Sequence, residues 1–248
     1  MTTDFTDFID GGGNIASGND CDGMFILFGQ KCLSFSKTLV DSEEPTPPPS
    51  FSSSMHLESE YPSTSPSFSS MDGLSCDRLP KDAESCIEIS SFDDLIQLVR
   101  DATGIIVFCP FVITKNEHEL IYVTTNVELI CGVPRKCRIT GPGRHMVVDG
   151  SSSKLFVQGI VFEGATLGAI HIRSRSSHVQ SFCDVVFSDN SGTLRGLGIL
   201  TERNTYTEIS HCRFLKCESS DMGGAIFNRG AMLIDNAVFD GNIGKGGR

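Results

Sequence analysis

The sequence contains no tryptophan and only three tyrosines among its 248 residues. No apolar stretch approaches the ~18 residues that a membrane-spanning helix needs; the candidate at residues 24–28 (MFILF) is far too short. Basic residues are in short supply, 20 against 31 acidic, and the net charge of −11 argues against sequence-independent binding to nucleic acid. No CxxC pair occurs, so neither half of a usual zinc site can be assembled, and no metal or cofactor is expected. There is no N-x-S/T acceptor for a glycan, and the first ten residues hold three aspartates instead of a basic, then apolar, leader.

Glycine and cysteine are plentiful, at 25 and 10. The acidity sits in the first third: residues 1–85 carry 14 Asp and Glu against 4 Lys and Arg. That third also holds Pro45, Pro47, Pro48, Pro49, Pro62 and Pro66 between serine runs. Such a composition cannot bury enough apolar surface to offset the entropy of ordering it. The expected organisation is an ambiguous segment over 1–37, a disordered Ser/Pro-rich acidic linker over 38–85, and one folded domain over 86–248.

The folded part is a repeat. Four segments align on a phenylalanine: 157–165 (VQGIVFEGA), 182–190 (FCDVVFSDN), 209–217 (ISHCRFLKC) and 234–242 (IDNAVFDGN). The anchors Phe162, Phe187, Phe214 and Phe239 are spaced 25, 27 and 25 residues apart. Five residues before them stand Val157, Phe182, Ile209 and Ile234; two before them stand Ile160, Val185, Cys212 and Ala237. A second strand recurs around Ile170, Ile199 and Ile226, in 168–172 (GAIHI), 196–200 (GLGIL) and 224–228 (GAIFN). A unit of two or three short strands cannot bury its apolar face alone, but stacked copies pairing in parallel at roughly 4.8 Å can. The predicted fold is all-β: a single-stranded right-handed parallel β-helix of about 25-residue coils with stacked Phe, Ile and Val inside.

The segment before the first anchor reads as a cap. Residues 91–102 place Leu95, Ile96, Leu98 and Val99 on one helical face, with Ser90 or Ser91 as N-cap and Asp93 and Asp94 in the first turn. Strands are expected over 105–109, 121–131 and 137–149, the last broken by Gly141-Pro142-Gly143. The repeat breaks off at 241–248 (GNIGKGGR) with no capping pattern, so the chain reads as truncated at its C-terminal end.

Helix, strand, ITGPG (139–143), VVDG (147–150) and repeated coils resemble the pectin-lyase-like superfamily of right-handed parallel β-helices. The run 223–242 (GGAIFNRGAMLIDNAVFDGN), with FSDN at 187–190, is similar to the GGA-[ILV] and F-x-x-N repeats of polymorphic outer-membrane proteins. This resemblance covers 86–248 and implies a surface or extracellular protein, adhesin-like or carbohydrate-binding, or a carbohydrate-active enzyme or its inactive relative. Ala165 and Cys217 depart from the asparagine that follows the other anchors. Asn190 and Asn242 are expected at sharp turns, where Asn tolerates a left-handed backbone and bonds nearby main chain.

Chemistry is sparse. Calcium-dependent lyases of this fold would need converging acidic oxygens, and its glycoside hydrolases two or three carboxylates on adjacent coils. The outward acids Glu163, Asp184, Asp189, Glu202, Glu208 and Asp240 show no such convergence in register, so no catalytic residue is assigned. Arg173, Arg203 and Arg229 follow the second-strand isoleucines and are expected to rise along one edge, with His171 nearby, as a groove for sulfate or uronate groups. The competing reading is three solvated arginines beside loops. Cys212 falls in an inward register as a small buried hydrophobe. Cys131 with Cys137, then Cys86 with Cys109, are the disulfide candidates, and ten cysteines favour an oxidising, extracellular setting. The partner expected is a polysaccharide or a surface protein.

Overall fold

The computed structural model describes residues 86–150, 153–173 and 178–245, Cys76, and the backbone of two short strands at Ile26–Phe28 and Lys31–Cys32. The predicted acidic linker over 38–85 otherwise lies outside the described residues. The described chain is a parallel β-helix. Sheet A holds, in spatial order, Lys31–Cys32, Ile26–Phe28, Ala231–Asp235, Tyr206–Ser210, Val179–Cys183, Lys154–Gln158, Asn126–Cys131 and Gly104–Phe108. Sheet B runs from Val238–Asp240 through Arg213–Leu215, Val186–Ser188, Ile160–Glu163 and Cys137–Thr140 to Phe111–Thr114. Sheet C stacks Ile226–Asn228, Ile199–Thr201, Ile170–Ile172, Met146–Val148 and Ile121–Val123. A short sheet D of Ser191–Gly192, Glu218–Ser219 and Ile243–Gly244 turns the later coils between B and C.

The register explains the repeat. Phe162, Phe187, Phe214 and Phe239 are cross-strand partners in sheet B. Their rings stack face to face at 5.6, 4.8 and 4.9 Å between centroids. The first three are fully buried and Phe239, in the last coil, is half-buried. The same column continues backwards through Ile139 and Ile113, so two further coils precede the first phenylalanine. His145 extends the stack, its ring 6.0 Å from Phe162. In sheet C, Ile170, Ile199 and Ile226 are likewise partners.

The region expected to be a cap is therefore mostly coil. Only the helix Phe92–Asp101 is distinct, and it covers the first coil. Ser91 caps it: its hydroxyl accepts from the Asp94 amide at 3.1 Å while the Asp94 carboxylate accepts from the Ser91 amide at 3.0 Å. The helix buries Phe92, Leu95 and Val99, leaving Ile96 and Leu98 half-exposed, because the strip facing the coil is narrower than the four-residue face predicted. The expected strand over 121–131 is two strands in different sheets. They are separated by a corner at Thr124 and Thr125, where Thr125 donates to the Ala102 carbonyl at 2.8 Å.

The corners use left-handed residues in columns. Gly159, Asp184, His211 and Asn236 (φ 70°, 51°, 56° and 51°) turn sheet A into sheet B. Gly164, Asp189, Lys216 and Gly241 (φ 75°, 53°, 51° and 62°) end sheet B. The left-handed residue is thus the one before Asn190 and Asn242, not the asparagine. The amide of Asn190 instead accepts from the Ala165 backbone of the preceding coil at 2.8 Å, and that of Asn242 from Cys217 at 2.9 Å. Two glycines of ITGPG have a steric reason: at Gly141 and Gly143 (φ 119° and 80°) a Cβ would collide with the Lys115 and Glu117 carbonyls. Lys115 is itself buried and donates to Asn116 O at 2.6 Å and Pro142 O at 2.5 Å, and burial lowers its pKa.

Candidate functional site

Sheet C carries a set of interacting polar side chains on the outside of the helix. Side chains alternate along a strand, so with Ile170 and Ile172 inside, the middle residues Tyr122, Val147, His171, Leu200 and Phe227 form an outward row. Tyr122 is 52% exposed at one end of it. Arg144, from the turn before Met146–Val148, reaches over the row to His171, and Arg195 lies 5.0 Å over the Phe227 ring while pairing with Asp221 at 2.8 Å.

His171 is the centre of this face. It is almost fully buried, with Glu202 Oε1 2.9 Å from Nε2 and Arg144 Nη1 3.0 Å from Nδ1. An arginine can only donate, so Nδ1 is the acceptor and Nε2 carries the proton that Glu202 receives. The ring is neutral: burial, then the guanidinium of Arg144, push its pKa down to about 4. Arg144 also donates to the Leu167 carbonyl at 2.7 and 3.1 Å, and burial and Arg173 lower its own pKa. The result is a fixed Arg144–His171–Glu202 chain across three coils.

Beyond the strands lies a charged column. Val148, Ile172, Thr201 and Asn228 are cross-strand partners, and the ladder continues one residue further: Arg173, Glu202 and Arg229 bond to Val148, Ile172 and Thr201 of the preceding coils. Asp149, Arg173, Glu202 and Arg229 therefore rise in sequence, their charges alternating. This changes the arginine edge read from the sequence. Arg173 and Arg229 share a column, but Glu202 stands between them and Arg203 lies one residue outside it, exposed in the next turn. Arg203 stands four residues past Ile199, whereas Arg173 and Arg229 stand three past Ile170 and Ile226, and that one-residue difference takes it out of the column.

The acidic residues weighed as catalytic are spread out. Glu163 pairs with Arg138 on sheet B; Asp240 occupies the same column three coils away; Asp189 sits at a corner; Glu208 is on sheet A beside Ser181. No group of three potential metal ligands occurs among the described residues. The structure bonds Cys131 to Cys137 and Cys86 to Cys109, and adds a third disulfide, Cys76 to Cys183, that no spacing of the cysteines singles out. Cys212 and Cys217 are buried free thiols, and burial raises each to about 12. Arg144 and Tyr122 were missed for a definable reason: their coils are anchored by isoleucine, so a search on phenylalanine does not align them. Comparison with known protein families, with curated proteins and with solved structures returns no match.

Proposed function

We propose that the protein is a non-catalytic β-helix of the cell surface or extracellular space that binds glycans through the outer face of sheet C. The observation that carries this reading is the Arg144–His171–Glu202 chain beside the Asp149–Arg173–Glu202–Arg229 column. It holds the Arg144 guanidinium in place on a rigid surface and sets the exposed Arg173 and Arg229 two coils apart in one column, on the sheet that carries an exposed tyrosine. Guanidinium binds carboxylate and sulfate through paired hydrogen bonds, and aromatic faces pack on apolar sugar surfaces. Three disulfides suit an oxidising compartment. The pectin-lyase-like resemblance and the GGAI and F-x-x-N repeats support a surface role of the kind such β-helices perform.

A glycan array containing uronate and sulfated polymers tests it. Wild-type protein is expected to bind acidic glycans, with signal reduced about tenfold in Arg173→Ala and Arg229→Ala through loss of roughly 1.4 kcal/mol. Arg203→Ala is expected to bind as wild type does. Equal signals from wild type and all three variants contradict the reading. The same polymers recovered shortened after incubation would favour a carbohydrate-active enzyme instead.

A further inference from the structure

The Cys76–Cys183 disulfide differs from the other two in its surroundings. Cys183 lies on the outward face of sheet A and is fully buried, packed with Ile130 and Phe156, whereas Cys76 is partly exposed. Cys76 lines an open cleft of about 420 Å³ whose other lining residues include Arg135, Asp184, His211 and Arg213. His211 Nδ1 is 3.5 Å from Cys76 Sγ and 2.8 Å from the Ser210 hydroxyl, and Ser210 is the cross-strand partner of Cys183. His211 is one of the left-handed corner residues (φ 56°) and lines the cleft. Arg135 is held by Asp184 at 2.9 Å, while Arg213 is exposed. Cys86 and Cys109 are half-buried, as Cys76 is, and Cys131 and Cys137 are buried, their bond spanning only six residues.

We infer that Cys76–Cys183 is a thiol-exchange site at which a small acidic thiol becomes attached to Cys76. The incoming thiol gives its proton to His211, and its thiolate attacks Cys76 Sγ, the sulfur that solvent reaches. A new S–S bond joins the small molecule to Cys76, the Cys76–Cys183 bond breaks, and its electron pair goes to Cys183. His211, 3.5 Å from Cys76 Sγ, returns the proton to Cys183 as a thiol. One thiol and one disulfide enter, and one thiol and one mixed disulfide leave. Thiolate fraction and access govern such exchange, and the cleft supplies a base and an open approach. Arg213 selects thiols that carry a carboxylate.

The test exposes the intact protein to glutathione or to uncharged 2-mercaptoethanol, quenches by alkylation, and maps each cysteine by mass spectrometry. The glutathione adduct is expected on Cys76 with Cys183 free, before either Cys86–Cys109 or Cys131–Cys137 opens. His211→Ala is expected to slow both reagents about tenfold or more through loss of the base. Arg213→Ala is expected to slow glutathione alone. His211→Gln, which keeps a polar side chain of similar reach, controls for disturbance of the corner and is expected to be as slow as the alanine variant. Opening of all three disulfides together, first opening at either of the others, or unchanged rates in His211→Ala would overturn the inference. Selective opening with no preference for glutathione would overturn the role of Arg213.

Discussion

Two histidines illustrate how one residue type is put to different uses by its position in a coil. His145 is fully buried against Phe162 and donates from Nε2 to Gly141 O at 2.9 Å, while its Nδ1 has no partner. Burial pushes its pKa down to about 4, as it does for His171. In the unfolded chain both titrate near 6.5. The folded state therefore refuses protons that the unfolded state takes up between these values. Stability from both groups is fully present above pH 6.5 and is lost as the pH falls towards 4. His145 alone accounts for up to about 3 kcal/mol of that loss. Thermal melts from pH 7.5 to 4 are expected to show a falling Tm, and His145→Gln should flatten the slope whatever its effect at neutral pH. An unchanged slope would show that His145 is not held neutral by the fold.

At the scale of strands and corners, the repeat is set as much by turns as by the apolar ladder. Non-glycine residues held left-handed cost roughly 1–2 kcal/mol, and Lys216, exposed at a corner where other coils use Gly164 and Gly241, is one of them. Lys216→Gly is expected to raise stability by a few tenths to about 1 kcal/mol, since glycine loses part of the gain to chain entropy. Lys216→Val should lower it by about 1 kcal/mol or more, because branching worsens the strain. Chemical denaturation of the three proteins measures this, and a valine variant as stable as wild type would refute the corner geometry. These corners also show where the sequence was legible. Phe162, Phe187, Phe214 and Phe239 announce themselves by type and spacing. The coils anchored by Ile113 and Ile139 do not, because isoleucine is common in any strand. The left-handed position was placed one residue late, on the asparagines beside it, and Lys216 is not a residue type that marks it. At the candidate site, His171 and Arg173 stood out, but the partners that give them meaning, Arg144 and Glu202, are fixed by a cross-coil register that only the three-dimensional stack supplies.

Taken as a whole molecule, the protein is an axis along which chemistry can be arrayed. Sheet C presents one face, with its neutral histidine and alternating column, and the A–B corner presents another, with its disulfide and His211. Backbone pairing of Ile26–Phe28 with Ala231–Asp235 also brings the N-terminal segment to the last coil, where Leu27 and Leu233 are partners. Residues 26–28 of the apolar run, ambiguous in isolation, are thus used as a strand on the last coil. Everything on both faces depends on coils stacked in one register, and proximity between aromatic rings is its most direct signature. Ring-to-ring nuclear Overhauser effects in protein carrying isotope-labelled phenylalanine, assigned by single replacements with leucine, measure it. Cross-peaks are expected for Phe187 with Phe214 and for Phe214 with Phe239, whose centroids are 4.8 and 4.9 Å apart, a weaker one for Phe162 with Phe187, and none for Phe162 with Phe239. Rings that show no mutual contact, or that exchange freely with solvent-borne relaxation agents, would contradict the stacked helix and both sites built on it.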